Sequence, residues 1–406
     1  MTEKQLTKET TWFQDLQAKA QENYENLDLP KLEKIKYQEW ITYPKCRQNF
    51  PTQELKQIPN EANFKISYDS KGIEMEAPQE ILDSGIKIYN LRNDEAFQDS
   101  FVKDHFGQVV PSLGDRISAY NIAQLNGGLF LYIPDNFQTD LPLQIQWKSF
   151  DEYMATRFIG IIGKHSQVTI VENFEEGDTN GKQWIAVQEW LIEDNAQVNY
   201  AGFEHLLESN HAYIRRHAHV KRDATLNWSM SSLNRSSSVS DLKSRLIGTG
   251  AQSTMATISV GTQDKVQGVN GNIVNEAPNT FGEIIQHGVV FDAATITFNG
   301  IGHILKAAKN AESQQESRLL MFSKEGRGDV NPILLIDEYE VQAGHAASMG
   351  KVDSEQLYYL MSRGLSQQEA EFLVMKGFLI HAFNDFETEL VREKNLELLN
   401  KALGVS

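Results

Sequence analysis

The sequence predicts a mainly β protein in which a β-solenoid core lies between a helical amino-terminal region and a small helical carboxy-terminal domain. Three observations support this class: strand-like runs fill the middle of the chain, a weak repeat underlies them, and capped helical patterns occur near both ends. We place the helical and irregular region at residues 1–95, the solenoid at 96–343 and the helical domain at 344–406.

The amino-terminal region is predicted to contain one amphipathic helix. Residues 3–22 are rich in helix-forming residues, and Trp12, Leu16 and Ala20 recur at a spacing of four on one stripe. Pro30 prevents the helix from continuing, because proline lacks the amide donor that a helix interior needs.

Strand signals replace the helical period from about Gly127 onward. Short apolar or alternating runs there are bounded by Gly, Asn, Asp and Ser, which is typical of strands separated by turns. The clearest runs are Leu129–Ile133, Ile159–Ile162, Trp184–Val187 and Gly288–Phe291.

A weak internal repeat underlies these runs, in which a small residue is followed by a short strand with a polar residue at its middle. Its five members are Ser166–Ile170, Ala196–Tyr200, Ala224–Trp228, Ala251–Met255 and Ala294–Phe298. Their successive steps are 30, 28, 27 and 43 residues, and we expect a less regular turn around 270–278 to account for the last step. Periods in this range indicate stacked turns that cannot bury their apolar faces alone. A β-sandwich stays open as an alternative.

The carboxy-terminal pattern is helical again from Ser354. Leu357 and Leu360 share a face, Gly364 is placed to end the first helix, and Ser366 with Glu369 forms a capping box that opens the second. The sequence therefore predicts a small helical module after the β core.

Composition argues against two classes of partner. The chain has 406 residues, with 55 acidic and 38 basic side chains and a formal net charge of −17. A surface this acidic repels phosphate backbones and anionic lipid head groups, so we expect neither nucleic acid nor membrane to be bound. Without a secretory signal or an apolar run of spanning length, we expect a cytoplasmic protein.

The single cysteine, Cys46, cannot form an internal disulfide or supply a site of several thiolates. Lys45 and Arg47 flank it and would favour a reactive thiolate. An unremarkable loop thiol is the preferred interpretation, because no catalytic His or Asp pattern accompanies it.

The sequence contains no convincing phosphate loop or nucleophile motif. No glycine-rich stretch ends in Gly-Lys-Ser/Thr, and Gly248–Gly250 lacks the third glycine of a dinucleotide fingerprint. Ala346–Gly350 resembles a nucleophile elbow, but no helix follows it directly, so a turn is the preferred interpretation. We therefore expect no ATP hydrolysis by the isolated chain.

A pair of histidines and one single histidine are candidate ligands. His217 and His219 share one strand face, but no third metal ligand is evident, and the nearby Arg215 and Arg216 favour a solvated cationic face. His345 lies among small residues between a strand and the helical tail. Its accessible imidazole could bind iron, whereas a backbone hydrogen bond at the junction is the alternative.

Beyond these patterns, particular segments of the chain resemble the SufB/SufD family. The segments that carry the resemblance are Asn331–Glu338, Ala343–Gly350, Asp353–Leu365, Phe298–Gly300, Gln315–Leu320 and Leu27–Trp40. The match covers most of the chain and is most specific from about Gly288 to Leu379.

The resemblance implies a right-handed parallel β-helix and a role in iron–sulfur cluster assembly. It implies pairing with a SufB-like subunit, with a homodimer as the form in isolation, and binding of a SufC-like ATPase by the carboxy-terminal helices. It implies no permanent cofactor, a transient cluster at the subunit interface and ATP on the partner. No cysteine lies near Ala343, which favours the SufD branch over SufB.

The same resemblance supplies the candidate site residues. His345 matches the histidine proposed to share in cluster formation, so it is our candidate metal ligand. The candidate docking residues for the ATPase are Tyr358, Tyr359, Met361, Arg363 and Gly364. We expect one tyrosine to face the module's own core and the other to point outward.

A carbohydrate-active β-helix enzyme is the alternative function. Such an enzyme needs carboxylates clustered on stacked strands. The repeat strands carry Thr169, Asn199, Asn227, Thr254 and Thr297 at the relevant position instead, which argues against it.

Overall fold

The computed structural model describes residues 11–48, 55–175, 181–206, 211–382 and 389–403. The helices are α1 (Trp12–Asn23), α2 (Gln79–Leu82), α3 (Ser100–His105), α4 (Arg116–Ala123), α5 (Ser354–Ser362), α6 (Gln367–Ile380) and α7 (Glu389–Leu403), with 3₁₀ turns at Tyr24–Asn26, Tyr37–Glu39 and Asp94–Gln98. No helix within these ranges is long and apolar enough to cross a membrane.

The described residues contain twenty strands. They are β1 (Lys56–Pro59), β2 (Lys65–Asp69), β3 (Gly72–Ala77), β4 (Lys87–Asn90), β5 (Gly127–Ile133), β6 (Leu143–Lys148), β7 (Tyr153–Ile162), β8 (Gln167–Glu175), β9 (Gln183–Ile192), β10 (Gln197–Glu204), β11 (His211–Val220), β12 (Thr225–Ser232), β13 (Ser238–Leu246), β14 (Gln252–Gly261), β15 (Val266–Asn275), β16 (Phe281–Val290), β17 (Thr295–Ile304), β18 (Glu312–Met321), β19 (Arg327–Ile336) and β20 (Gln342–Lys351).

The strands form two long sheets. Sheet A has eleven strands in the order β1-β3-β2-β6-β8-β10-β12-β14-β16-β18-β20, and sheet B has nine in the order β19-β17-β15-β13-β11-β9-β7-β5-β4. From β5 onward the described strands pair in parallel, each with the strand two places along the chain. The predicted solenoid is therefore confirmed, and the β-sandwich, which needs antiparallel neighbours, is excluded for these residues.

The first four members of the sequence repeat stack in register. Val168 pairs with Val198, Val198 with Leu226 and Leu226 with Ser253, so the predicted steps of 30, 28 and 27 residues are confirmed as single turns of sheet A.

The fifth member was assigned to the wrong sheet. Ser253 pairs with Gly282, 29 residues on, whereas Ile296 lies in β17 of sheet B. The step of 43 residues therefore spans about one and a half turns. The irregular turn expected around 270–278 is also wrong, because β15 continues to Asn275.

The predicted domain boundaries differ from the observed strands. Four strands, β1 to β4, already precede residue 96, and β2 joins sheet A directly by pairing with β6. At the other end β20 extends to Lys351, so the expected boundary at residue 343 falls inside the last strand. The sequence did not predict this strand because Gly344, Ala346 and Ala347 are small residues. Strands are usually recognised by β-branched and aromatic residues.

The interior between the sheets combines an aromatic core with a buried ionic cluster. Trp147, Trp184, Trp190 and Trp228 are fully buried there. Beside them Arg216, with 0% of its side chain exposed, donates to Glu172 at 3.0 Å and Glu204 at 2.6 Å. The predicted solvated face is therefore wrong for Arg216, which points into the solenoid.

Helices and the amino-terminal segment cover the outer faces of the sheets. On sheet B, Asn121 of α4 donates to the carbonyl of Thr156 at 2.9 Å, and Asn299 donates to the carbonyl of Glu33 at 3.0 Å. On sheet A, Met375 and Leu379 of α6 and Leu399 of α7 join an apolar cluster with sheet residues such as Phe203 and Ile258.

We expect Arg216→Ala to lower the free energy of unfolding by about 3–5 kcal/mol, because the charges of Glu172 and Glu204 would stay buried without a partner. Urea denaturation followed by circular dichroism measures this. Arg222→Ala, which removes an arginine with a 62% exposed side chain, should change stability by no more than about 0.5 kcal/mol. Equal losses in the two variants would contradict the assigned role of the cluster.

Candidate functional site: the terminal turn and the adjoining helices

The last turn of the solenoid is open on its outer side. In the described ranges, β20 ends sheet A and β19 ends sheet B, and no strand pairs beyond either of them. Nine of the ten residues of β20 are exposed, in contrast to the buried interiors of earlier strands. This end therefore presents free backbone donors and acceptors together with an uncovered cross-section of the interior.

His345 lies in the middle of β20, in register with Gln315. The same register position passes back through a column of inward-facing side chains: Ile170, Tyr200, Trp228, Met255, Ile284 and Gln315. His345 continues this column, and its ring is exposed because no further turn covers it. The prediction that it stands at a junction outside the periodic pattern is therefore wrong, whereas its accessibility is as expected.

The open end exposes apolar side chains as well as His345. Met349 of β20 is 58% exposed, and Leu335 and Ile336 of β19 are also exposed. Beneath them, Gln315 donates to the carbonyl of Ile333 at 3.0 Å, while its buried Oε1 has no hydrogen-bond partner in the described residues. The sequence did not predict that these residues belong to the site, because no local pattern identifies the final turn of a solenoid.

The described residues contain no group of three or more His, Cys, Asp or Glu side chains arranged to hold a metal ion. At this end His345 is thus a single potential ligand. A cluster held here would need additional ligands from another molecule, because iron–sulfur clusters take several ligands from protein.

The helical module after β20 follows the predicted caps. Asp353 accepts from the amide of Glu355 at 2.8 Å, Gly364 has φ +100°, and Ser366 and Glu369 form a reciprocal capping box. The helix end at Gly364 and the capping box are therefore confirmed.

The candidate docking residues form an exposed patch on α5 and the two residues that follow it. Tyr358 is 75% and Tyr359 56% exposed, Met361 is also exposed, and the Arg363 guanidinium lies 5.1 Å from the centre of the Tyr359 ring. The expectation that one tyrosine faces the module's own core is wrong. Helix α5 contains no buried residue, because a nine-residue helix lying at the edge of the module has too little neighbouring surface to cover it.

Cys46 is a buried thiol rather than an exposed one. Its sulfur lies 3.6 Å from the hydroxyl of Tyr120, and burial raises the pKa of the thiol to about 11. Because the thiolate is the reactive form, Cys46 is suited to packing and not to sulfur chemistry.

Two other sequence motifs take different structures from those expected. Ala346–Gly350, expected to be a turn, lies within strand β20. Gly248–Gly250 forms a turn between β13 and β14, as expected, with Gly250 at φ +75°. The polar positions Thr169, Asn199, Asn227 and Thr254 do stack in register, without the paired carboxylates that a glycoside hydrolase needs. Thr297 belongs to sheet B instead.

Comparison with known proteins gives a consistent result over the whole chain. A family profile described as "SUF system FeS cluster assembly, SufBD core domain" matches residues 146–378, and one described as "SufBD protein N-terminal region" matches residues 7–145. The iron–sulfur cluster assembly protein SufD of Bacillus subtilis is 32% identical over 413 residues, which cover 97% of this chain and 94% of that protein.

More distant similarity extends to staphylococcal proteins of the same description. An iron–sulfur cluster assembly SufBD family protein of Staphylococcus saprophyticus is 27% identical, with 83% of this chain and 72% of that protein covered. One of Staphylococcus haemolyticus is 25% identical, with 97% and 89% covered.

Proposed function

This chain belongs to the SufBD family of iron–sulfur cluster assembly proteins, and we propose that it is a SufD-like scaffold subunit that pairs with a SufB-like subunit and binds a SufC-like ATPase. The observation that carries the proposal is the open terminal turn, with His345 at the end of the interior column. The cluster is cargo that the complex builds and passes on.

A second solenoid of the same family is the partner best suited to the terminal turn. Strand β20 has ten residues, no proline and a single lysine, Lys351, at its last position. Edge strands that avoid pairing are usually short or carry proline or inward-pointing charge. Strand β19, by contrast, contains Pro332, which removes one backbone donor. Pairing is therefore expected to be led by β20.

Pairing at the terminal turn would cover His345 and exposed apolar side chains of β19 and β20. Met349, Leu335 and Ile336 would lose water contact, which stabilises the complex by about 25 cal/mol for each Å² of apolar surface buried. His345 would then lie at the interface, where a neutral imidazole can serve as one ligand of a nascent cluster. The SufB-like partner would supply the remaining ligands. A second copy of this chain is the expected occupant when that partner is missing.

The exposed patch on α5 is the proposed docking surface for the ATPase. Tyrosine, methionine and arginine are enriched at protein interfaces and, for tyrosine and arginine, at their energetic centres. Nucleotide chemistry belongs to that partner, and we propose that this subunit has no catalytic activity of its own.

We expect His345→Ala to lower the initial rate of cluster formation by the reconstituted complex at least about tenfold, because one ligand is lost. The melting temperature of the subunit should stay unchanged, since His345 is exposed. The absorbance at about 400–450 nm, where iron–sulfur clusters absorb, follows the reaction.

The matched control for this prediction is His165→Asn, which alters an exposed histidine at φ +58° in a turn where asparagine is tolerated. Cluster formation at the wild-type rate by His345→Ala would contradict the ligand role.

We expect Tyr358→Ala to weaken binding of the SufC-like ATPase about tenfold, a free-energy loss of about 1.4 kcal/mol. Isothermal titration calorimetry measures the affinity. Leu113→Ala removes another exposed apolar side chain, distant in the chain and outside the helical module, and should leave the affinity unchanged. Wild-type affinity for both Tyr358→Ala and Tyr359→Ala would show that the ATPase docks elsewhere.

A further inference from the structure

A cavity of about 330 Å³ opens on the outer face of sheet B, away from the terminal turn and from the helices that cover sheet A. One wall is the loop 109–115, which leads into α4. The floor is formed by alternate residues of β11 and β13. The two histidines of the His-Ala-His motif, which has no part in the function proposed above, line this cavity.

Strand register places the charged groups of the floor in pairs. Arg215 lies opposite Asp241, His217 opposite Lys243 and His219 opposite Arg245. Because side chains alternate along each strand, all six point to the same side of the sheet. The cationic face expected from the sequence is thus present, but the loop 109–115 lies over part of it and Arg215 is buried.

Both guanidinium groups of the cavity are engaged by carboxylates. Arg215 donates to Asp241 at 3.1 Å and to Asp115 at 2.7 Å. Arg245 forms a two-point ion pair with Glu276, in which Nη2 lies 2.8 Å from the carboxylate. The hydrogen-bond donors of these two arginines are therefore largely used by carboxylates, and few are left for a ligand.

Lys243 differs from the arginines in having no hydrogen bond or ion pair to any residue that the structure describes. It is partly buried, and burial together with the neighbouring Arg245 lowers the pKa of its ammonium group. A cation in this position gains stability from any anion that reaches it.

A neighbour of Lys243 in the sheet also has an unused hydrogen-bonding atom. His217 lies opposite Lys243 on β11 and lines the same cavity. His217 Nε2 is buried without a hydrogen-bond partner, 3.5 Å from Asp241 Oδ2, at the outer limit for such a bond. Buried polar atoms are nearly always paired, so two adjacent groups without a partner indicate a ligand position.

We propose that this cavity binds a phosphoryl oxyanion, with Lys243 as its counter-ion and the His217 side chain as a hydrogen-bonding partner. A tetrahedral oxyanion accepts hydrogen bonds from several donors at once, and Lys243 and His217 are adjacent in the cavity. The cavity volume is at the lower end of the range for small-molecule sites. It therefore suits inorganic phosphate or a small phosphomonoester and excludes a nucleic acid.

The test uses the full-length chain and inorganic phosphate in isothermal titration calorimetry, with chloride adjusted to constant ionic strength. We expect saturable one-site binding that weakens at least about tenfold in Lys243→Met, since one charge-assisted hydrogen bond is removed. Lys243→Arg, which keeps the charge, should retain binding within about threefold. Lys221→Met is the matched control, because it removes a partly buried lysine that already pairs with Glu193 at 2.7 Å.

Glycerol 3-phosphate in a second titration distinguishes the two sources of the phosphoryl group. Tighter binding than phosphate identifies a phosphomonoester, and equal or weaker binding identifies the inorganic ion. Absence of phosphate binding by the wild type, or equal affinity in wild type and Lys243→Met, would overturn the proposal. Neither result bears on the terminal turn, since the cavity lies on the other sheet.

Discussion

Burial of each solenoid turn by the next is the constraint on which the rest of this structure depends. A single turn of 26 to 32 residues contributes one strand to each sheet and cannot cover its own inner face. The column that runs from Ile170 to Gln315 is buried because every member has a neighbour above and below. Among the described residues, the turn that contains His345 has no second neighbour, and this is where we propose that a partner binds.

Helices and the amino-terminal segment cover parts of the outer faces of both sheets, which narrows the choice of interface. Helices α6 and α7 pack on sheet A, and α4 with the amino-terminal segment packs on sheet B. Helix α6 also contacts the sheet through His287, which stacks on Phe378 and lies 3.0 Å from Glu316 of β18. Because β18 is the neighbour of β20, the helical module and the terminal turn are attached to the same strand ladder.

Sequence reasoning predicted the features that depend on local chemistry. The capping box at Ser366, the helix end at Gly364 and three repeat steps all follow from short patterns. It misassigned Ile296, because both sheets repeat with the same period and differ only by half a turn. It also placed Arg216 in solvent, since adjacent arginines point to opposite faces of a strand and only the fold shows which face is interior.

The central claim is that β20 pairs with a SufB-like subunit, and hydrogen–deuterium exchange of the backbone amides of Gln342–Lys351 tests it most directly. Exchange should slow in this strand when the two subunits are mixed, because free edge donors become hydrogen-bonded. Amides of Gly127–Ile133, already inside sheet B, should not change. Unchanged exchange of β20 in a mixture in which size-exclusion chromatography shows the complex would contradict the claim.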